Sequence, residues 1–401
     1  MPLARGPRSQ DTFIFIEVFG CEGGIQSYIK DVLSAYSRLN TEPATVFLLR
    51  DSLQDIPSEF LSRFRFRCFH SGRPMVDRVR LTMALAWHLL WHRPHRLFCG
   101  HINLAVMVRH LARWASVPYV ILTYGKEVWF PLKASEGRAL QQADGIWTIS
   151  RYSRTLAAEA NQLQARPIEI LPCVVDGREF VPAIANPDLL LQYGLTDAKV
   201  LMTVARLWKG DPYKGVDVTI RALPAIVNRF PEIKYLVIGR GDDQPRLAQL
   251  AQDLGVAERV VFAGFVPNEA LVEHYRLADV YVMPSQEGFG IVYLEAMACG
   301  IPVISGDSDG SADPLQDGRL GWRVPHRNPE AVAAACIEAL QGDDRRCNGL
   351  WLREQTLARF SKEALSEQLL QLLDSGPAVV AQSPGQPKSN LHPNPDSGAK
   401  L

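Results

Sequence analysis

Two carboxylates and two glycines in one short stretch carry the clearest chemistry in this chain of 401 residues. They are Glu287-Gly288-Phe289-Gly290-Ile291 and, after it, Glu295, with seven residues between the two acids. The apolar run Asp279-Val-Tyr-Val-Met283 ahead of them reads as a buried strand. Gly288 and Gly290 open a turn, and Ile291 to Ala298 reads as a helix stopped by Gly300 and Pro302. A strand, a glycine turn and a helix start make an anion site, because the amides of the first helical turn lack partners within the helix and the helix dipole favours negative charge. The glycines remove side chains that would hold phosphates away from that backbone. Glu295 follows Ile291 by four, shares its face, and can accept two hydrogen bonds from a diol. Glu287 lies in the loop. The arrangement suits a sugar nucleotide, with the diphosphate on the amides, a ribose on one Glu and the sugar near the other.

The pattern Glu287-x7-Glu295 enclosing Gly288-Phe289-Gly290-Ile291 resembles the signature of the retaining glycosyltransferases of group 1, or family 4. The resemblance implies the α/β fold called GT-B: two Rossmann-like domains whose parallel sheets face each other across a cleft. It implies hexosyl transfer with retention, without metal or cofactor, from a UDP-sugar or GDP-sugar to a glycan or lipid-linked acceptor in cell-envelope polysaccharide synthesis. Arg206, at the end of the strand Lys199 to Leu207, and Lys214, in Asp211-Pro-Tyr-Lys-Gly215, match the Arg and Lys that grip the donor diphosphate and stabilise the departing nucleotide in place of a metal. The base is expected against Val261-Phe-Ala-Gly-Phe265. The leaving diphosphate is expected to help deprotonate the acceptor, and closure of the cleft to exclude water.

On the acceptor side, members of the family carry His-Gly-x-Glu where this chain has Tyr124-Gly125-Lys126-Glu127. Tyr124 therefore occupies the position of a His beside the donor sugar. It can donate a hydrogen bond to a sugar hydroxyl, but with an ordinary pKa near 10 it is a poor base at neutral pH. His101, in Cys99-Gly-His-Ile102, is placed to reach the same crevice or to serve as a structural hydrogen-bonding group. Glu127 is a candidate for the acceptor side or for a loop salt bridge. Gly23 and Gly24, after the first strand, match the family's loop that meets the donor's sugar-phosphate or the acceptor; the alternative is a tight turn.

The elements that must position these residues alternate strand and helix. Strands are predicted at Thr12–Phe19, Thr45–Leu49, Phe64–Phe69, Arg96–Cys99, Tyr119–Leu122, Gly145–Ile149 and Ile168–Leu171, with a helix from Ile25 to Leu39 after the first. Such repeats argue parallel sheets covered on both faces, with ligands at the carboxyl ends of the strands. The expected division is an acceptor-side domain over 1–180 and a nucleotide-sugar domain over 181–374. Further helices are read at Ala331 to Leu340 and Lys362 to Leu373, the last crossing back to the first domain. The stretch 375–401, rich in Pro, Ser, Gly and Asn, reads as a disordered tail.

A composition of 47% hydrophobic and 21% charged residues is ordinary for a globular α/β protein, and the net charge of zero gives no argument for nucleic acid. Seven scattered cysteines without a C-x-x-C pair point to a reducing cytoplasm. Neither a signal peptide nor a transmembrane run is predicted. One region is biased. Residues 60–118 hold ten arginines (63, 65, 67, 73, 78, 80, 93, 96, 109 and 113), no lysine and a single acid, Asp77, around the helix Val79 to Trp91 with its two tryptophans. Arginines beside a Trp-bearing apolar helix suit peripheral contact with an anionic membrane, at the inner face of the plasma membrane for a cytoplasmic enzyme. They equally suit a helix packed on a sheet with its arginines in water.

Two other motifs carry less. Gly239-Arg-Gly-Asp242 starts like a dinucleotide fingerprint, but Gln244 stands where its third glycine belongs. Asp307-Ser-Asp309 could hold a metal, yet lies beyond a unit that already supplies the donor site. A sugar-nucleotide epimerase or phosphorylase of similar architecture, and a non-catalytic nucleotide-binding subunit, are the rival classes.

Overall fold

A computed structural model describes residues 10–374 except 41, 165 and 211–213, so the expected tail at 375–401 and part of the Asp211–Gly215 loop lie outside the described residues. The first sheet consists of β1 (Thr12–Phe15), β2 (Ala44–Leu48), β3 (Phe64–Cys68), β4 (Leu97–Cys99), β5 (Tyr119–Thr123), β6 (Gly145–Thr148) and β7 (Ile168–Ile170). Its order is β3-β2-β1-β4-β5-β6-β7 and every pairing is parallel. Between these strands run α1 (Gly24–Leu39), α2 (Ser58–Leu61), α3 (Pro74–His92), α4 (Ile102–Ala115), α5 (Ala134–Gln141) and α6 (Arg151–Ala160).

The second sheet follows α7 (Pro187–Tyr193) and consists of β8 (Val200–Val204), β9 (Lys234–Ile238), β10 (Val260–Gly264), β11 (Val280–Met283), β12 (Val303–Gly306) and β13 (Trp322–Val324). Its order is β10-β9-β8-β11-β12-β13, again all parallel. The helices with it are α8 (Val216–Val227), α9 (Gln244–Asp253), α10 (Asn268–Tyr275), α11 (Ile291–Ala298) and α12 (Pro329–Gln341). Then come α13 (Gly349–Phe360) and α14 (Lys362–Asp374).

Strands buried on both faces explain the continuous apolar runs. In β1, Phe13 and Phe15 join the core on the α1 side, while Ile14 joins the one built with Leu81 and Leu85 of α3 and Leu104 and Val108 of α4. Successive residues of a strand point to opposite faces, so one strand feeds two layers. The ladder of β1 ends at Phe15, short of the expected Phe19. The reason is Asp51, whose carboxylate takes the amides of Val18, Phe19 and Gly20 at 2.9, 2.7 and 2.6 Å and bends the chain out of the sheet.

In each sheet the direction of winding reverses between two central strands, β1 and β4 in the first and β8 and β11 in the second. A crevice forms at the carboxyl ends of such strands. Gly23, Gly24 and His101 follow β1 and β4, and Arg206 and Glu287 follow β8 and β11, so both reversal points carry predicted site residues.

The chain crosses between the sheets twice. After β7 it runs forward past Val175, and near its end it returns: Val175 donates to the Phe360 carbonyl at 2.9 Å, and the Arg353 guanidinium holds the carbonyls of Gly177, Phe180 and Ala298. Helix α14 then packs on α1, and the Leu373 carbonyl accepts from Arg96 at 2.9 Å. Leu365, Leu369 and Leu373 form its buried face. Leu369→Ala should cost about 2–5 kcal/mol in denaturant unfolding. Glu367→Ala, on the exposed side of the same helix, should stay within about 0.5 kcal/mol of the parent. Equal effects would mean that α14 does not share the fold's cooperative unit.

Candidate active site

The loop between β11 and α11 is fixed from three sides. Tyr293 donates its hydroxyl to the Met283 carbonyl at 2.8 Å and lies 2.8 Å from the Ser285 hydroxyl. Asp309 accepts from the Glu287 amide at 2.7 Å, and the Gly310 amide donates to the Glu287 carbonyl at 2.8 Å. Gly290, at φ 93°, makes the left-handed step that starts α11, a step that costs other residues strain. Gly288 meets the first domain directly: a Cβ there would sit 2.8 Å from the Tyr124 carbonyl oxygen at the end of β5. The two domains thus touch, backbone to backbone, at the Glu287 loop.

The Glu287 carboxylate pairs with the Lys214 ammonium, and both groups are largely shielded from water. Lys214 and Arg206 line one narrow depression beyond β8, shared with Asp217 and Arg246. The Arg206 guanidinium lies 5.3 Å from the Trp208 ring. At the ends of the neighbouring strands β9 and β10, Arg240 stands 4.7 Å from the exposed Phe265 ring. Arg206, Lys214 and Glu287 are therefore brought together at the mouth of the second sheet.

Glu295 faces elsewhere. With Ile291 it lines a cavity of about 320 Å³ against α1, opposite Ser27, Lys30 and Asp31. The fully buried Tyr275 donates its hydroxyl to Glu295 Oε2 at 2.6 Å. Burial outweighs that hydrogen bond and pushes the Glu295 carboxyl up to about 7. Asp31 is likewise pushed up to about 7 by burial, against the pull of Lys362. Gly24 stands over the start of α11, since a Cβ on it would lie 3.9 Å from the Ile291 Cδ1. Its neighbour Gly23 caps α1 in extended backbone. The glycine loop of the first domain and α11 of the second thus face each other, with the loop held by Asp51.

Four predicted residues have their side chains or hydrogen bonds placed as follows, His101 taking the structural role given as its alternative. Tyr124 does not offer its hydroxyl to a sugar: the ring is buried edge-on to Tyr28, and the hydroxyl donates to the Gly100 carbonyl at 2.7 Å. A phenol has one proton, and this one is used. Burial also raises its pKa well above the ordinary 10, which excludes it as a base. Phe289 is a core residue rather than a ligand contact, 2% exposed and packed edge-on against Phe360, so only its backbone faces the loop. Glu127 turns onto its own loop and accepts the amides of Tyr124 and Gly125. His101 caps α4 through Nδ1, which accepts from the Asn103 amide at 3.1 Å; burial lowers its pKa, so the neutral ring carries its proton on Nε2.

Sequence reasoning missed Asp51, Asp309 and Tyr275. Asp309 had a signal, the D-x-D, but its carboxylate goes to the amides of Glu287 and Ser311 and to the Ser311 hydroxyl. Asp51 follows β2 by three residues, an acid at the mouth of a buried strand. Tyr275 had none, being one aromatic of a helix.

The family described as Glycosyl transferases group 1 matches residues 198–342, the second domain. Over 342 residues the chain is 33% identical to a GDP-mannose-dependent α-(1-6)-phosphatidylinositol monomannoside mannosyltransferase of Mycolicibacterium smegmatis, covering 81% of this chain and 87% of that one. A monoacylated-substrate counterpart from Corynebacterium glutamicum is 28% identical over 374 residues, 88% and 95% of the two chains. Among solved structures, a glycosyltransferase from Rickettsia africae superposes with a TM-score of 0.75 at 15% identity, over 94% of this chain and all of that one. Sucrose-phosphate synthase from Thermosynechococcus elongatus gives 0.73 at 22%, over 92% and 99%. These structures share the two facing sheets. With a relative of such identity aligned over four-fifths of this chain, and with the two facing parallel sheets, the chain belongs to the group 1 glycosyltransferases of the GT-B fold.

Proposed function

We propose that this chain transfers a mannosyl residue from GDP-mannose to a hydroxyl of a mannosylated phosphatidylinositol lipid, with retention and without a metal ion. The observation that carries the reading is the meeting of Lys214, Glu287 and Arg206 at the mouth of the second sheet, with the start of α11 in contact with the first domain. In this reading the α11 amides, Lys214 and Arg206 take the diphosphate, whose charge grows as the glycosidic bond breaks. Glu287 keeps Lys214 aimed at the loop and faces the sugar. Glu295, its carboxylate oriented by Tyr275, accepts from the ribose diol. The acceptor enters between the glycine loop and the His101 crevice, and its proton passes to the leaving diphosphate, since the Tyr124 hydroxyl is committed to the Gly100 carbonyl. Mannose and the phosphatidylinositol acceptor are taken from the named relatives, which align over most of the chain.

The reading includes contact with an anionic membrane, where such an acceptor resides. Among the described residues no helix is long and apolar enough to cross a membrane. Helix α3 instead buries Leu81, Leu85 and Leu89 and exposes Met75, Val79, Met83, Trp87 and Trp91, an apolar stripe at every fourth residue. Exposed Arg73, Arg78, Arg80 and Arg93 lie at its ends and flanks. Tryptophans at headgroup depth beside arginines suit anionic lipid.

With radiolabelled GDP-mannose, phosphatidylinositol-mannoside vesicles and a chelator, labelled lipid should form. Glu287→Gln and Arg206→Ala should each reduce it by about 100- to 1,000-fold while leaving thermal unfolding cooperative. Near-normal turnover in both variants would falsify the site. The Glu295 carboxyl gives a pH test. Its folded value lies above the ordinary 4.5, so the fold favours the protonated form and stability falls as pH rises from the unfolded value through about 7. The ribose diol needs the carboxylate, so GDP affinity should rise between about pH 6 and 8. Glu295→Gln should flatten both trends in calorimetry, and an unchanged pH profile in that variant would remove Glu295 from the ribose contact. Sedimentation with anionic vesicles should show binding that added salt releases, and Trp87→Ser with Trp91→Ser should weaken it. Equal sedimentation with neutral lipid would sink the electrostatic part.

A further inference from the structure

Besides the crossover at Val175 and Phe360, the two domains are joined through the start of α6. Its first residue, Arg151, donates its backbone amide to Asp313 Oδ2 at 2.7 Å and its Nε to Asp313 Oδ1, and its Nη2 reaches Asp317 Oδ1 at 2.8 Å. Asp313 therefore caps a helix of the other domain and pairs with that helix's first side chain, so charge, dipole and amide act on one buried carboxylate. The segment is shaped for this contact: Gln316 and Asp317 both stand at positive φ, 49° and 58°, a conformation non-glycine residues rarely hold twice in succession. Asp313 lies three residues after Gly310, whose amide holds the Glu287 carbonyl, and four after Asp309, which holds the Glu287 amide. Two residues along α6, the Ser153 hydroxyl lies 3.5 Å from the Gly288 carbonyl oxygen. A continuous run of hydrogen bonds thus leads from α6 of the acceptor domain to the donor loop.

We propose that Arg151 is a positioning residue: its clamp on Asp313 and Asp317 sets the seat of the Glu287 loop against the acceptor domain, and its release opens the cleft. The catalytic half of this inference rests on the glycosyltransfer reading above, while the clamp itself does not. The Arg151 side chain is 47% exposed and the Asp317 side chain 60%, against 10% for Asp313, so water and salt reach the Asp317 arm of the clamp. The clamp is accordingly one that can open in each turnover. A donor bound in an unclamped cleft would meet water in place of the acceptor, and a displacement of about 1 Å between the reacting groups costs on the order of 100-fold in rate.

The test compares wild type, Arg151→Ala, Arg151→Lys and Asp313→Ala by small-angle scattering at low and high salt, by calorimetry with GDP, and by transfer and hydrolysis of GDP-mannose. The clamp predicts a larger scattering radius for Arg151→Ala and Asp313→Ala at low salt, and for wild type at high salt. It predicts GDP affinity within about twofold of wild type, transfer lowered about 10- to 100-fold, and a larger share of donor lost to water. Arg151→Lys should recover part of both the radius and the transfer. An Arg151→Ala protein with the wild-type radius and the wild-type ratio of transfer to hydrolysis overturns the proposal. If wild type itself transfers nothing from GDP-mannose, the glycosyltransfer reading fails, and the scattering comparison still decides the clamp.

Discussion

The close approach of Gly288 to the Tyr124 carbonyl is the constraint on which the rest of the arrangement depends. Two parallel sheets can face each other across a solvent gap, or meet; here their loops meet at Gly288, where a side chain of any size would force them apart. Around that contact the chain spends its buried polar groups. Asp309 and Gly310 hold the two ends of the Glu287 peptide, Asp51 holds the glycine loop opposite, and the Tyr124 hydroxyl holds Gly100. Buried carboxylates given over to backbone amides are costly unless fully satisfied. Asp51 and Asp309 have their partners, and both serve to fix loops.

The carboxyls differ in how they meet their cost of burial. Glu287 has the Lys214 ammonium beside it. Glu295 has a tyrosine hydroxyl and no cation at bonding distance among the described side chains, and its proton is held to about 7. Two acids of one motif, with seven residues between them, are thereby given different surroundings. The environment, more than the residue type, separates an acid paired with a cation from one whose proton is held by burial.

Much of the fold is legible in the sequence because parallel strands buried on both faces leave unmistakable apolar runs, and because Gly300 and Pro302 stop α11 where the pattern ends. The meeting of Glu287, Arg206 and Lys214 is legible for a similar reason: Arg206 and Glu287 follow the ends of β8 and β11 closely, Lys214 lies just ahead of α8, and a strand's carboxyl end fixes where the next residues go. Tyr124 and Phe289 are misread because their neighbours in space lie far along the chain. Gly100 precedes Tyr124 by 24 residues and Phe360 follows Phe289 by 71, and nothing local announces either. The end of β1 is missed in the same way, through an aspartate just beyond another strand. A motif states which side chains are present; whether a hydroxyl or a ring points outward is decided by partners the motif does not contain.

The return of α14 onto α1 has a consequence for how the protein is made. The first domain is complete in sequence by about residue 170, yet one side of α1 is packed against residues 362–374. During synthesis that helix must wait, with an apolar flank open, until more than half the polypeptide has followed. Early folding of the first sheet is local, but its last layer is supplied by the far end of the chain, so neither domain reaches its final state before the other has been translated.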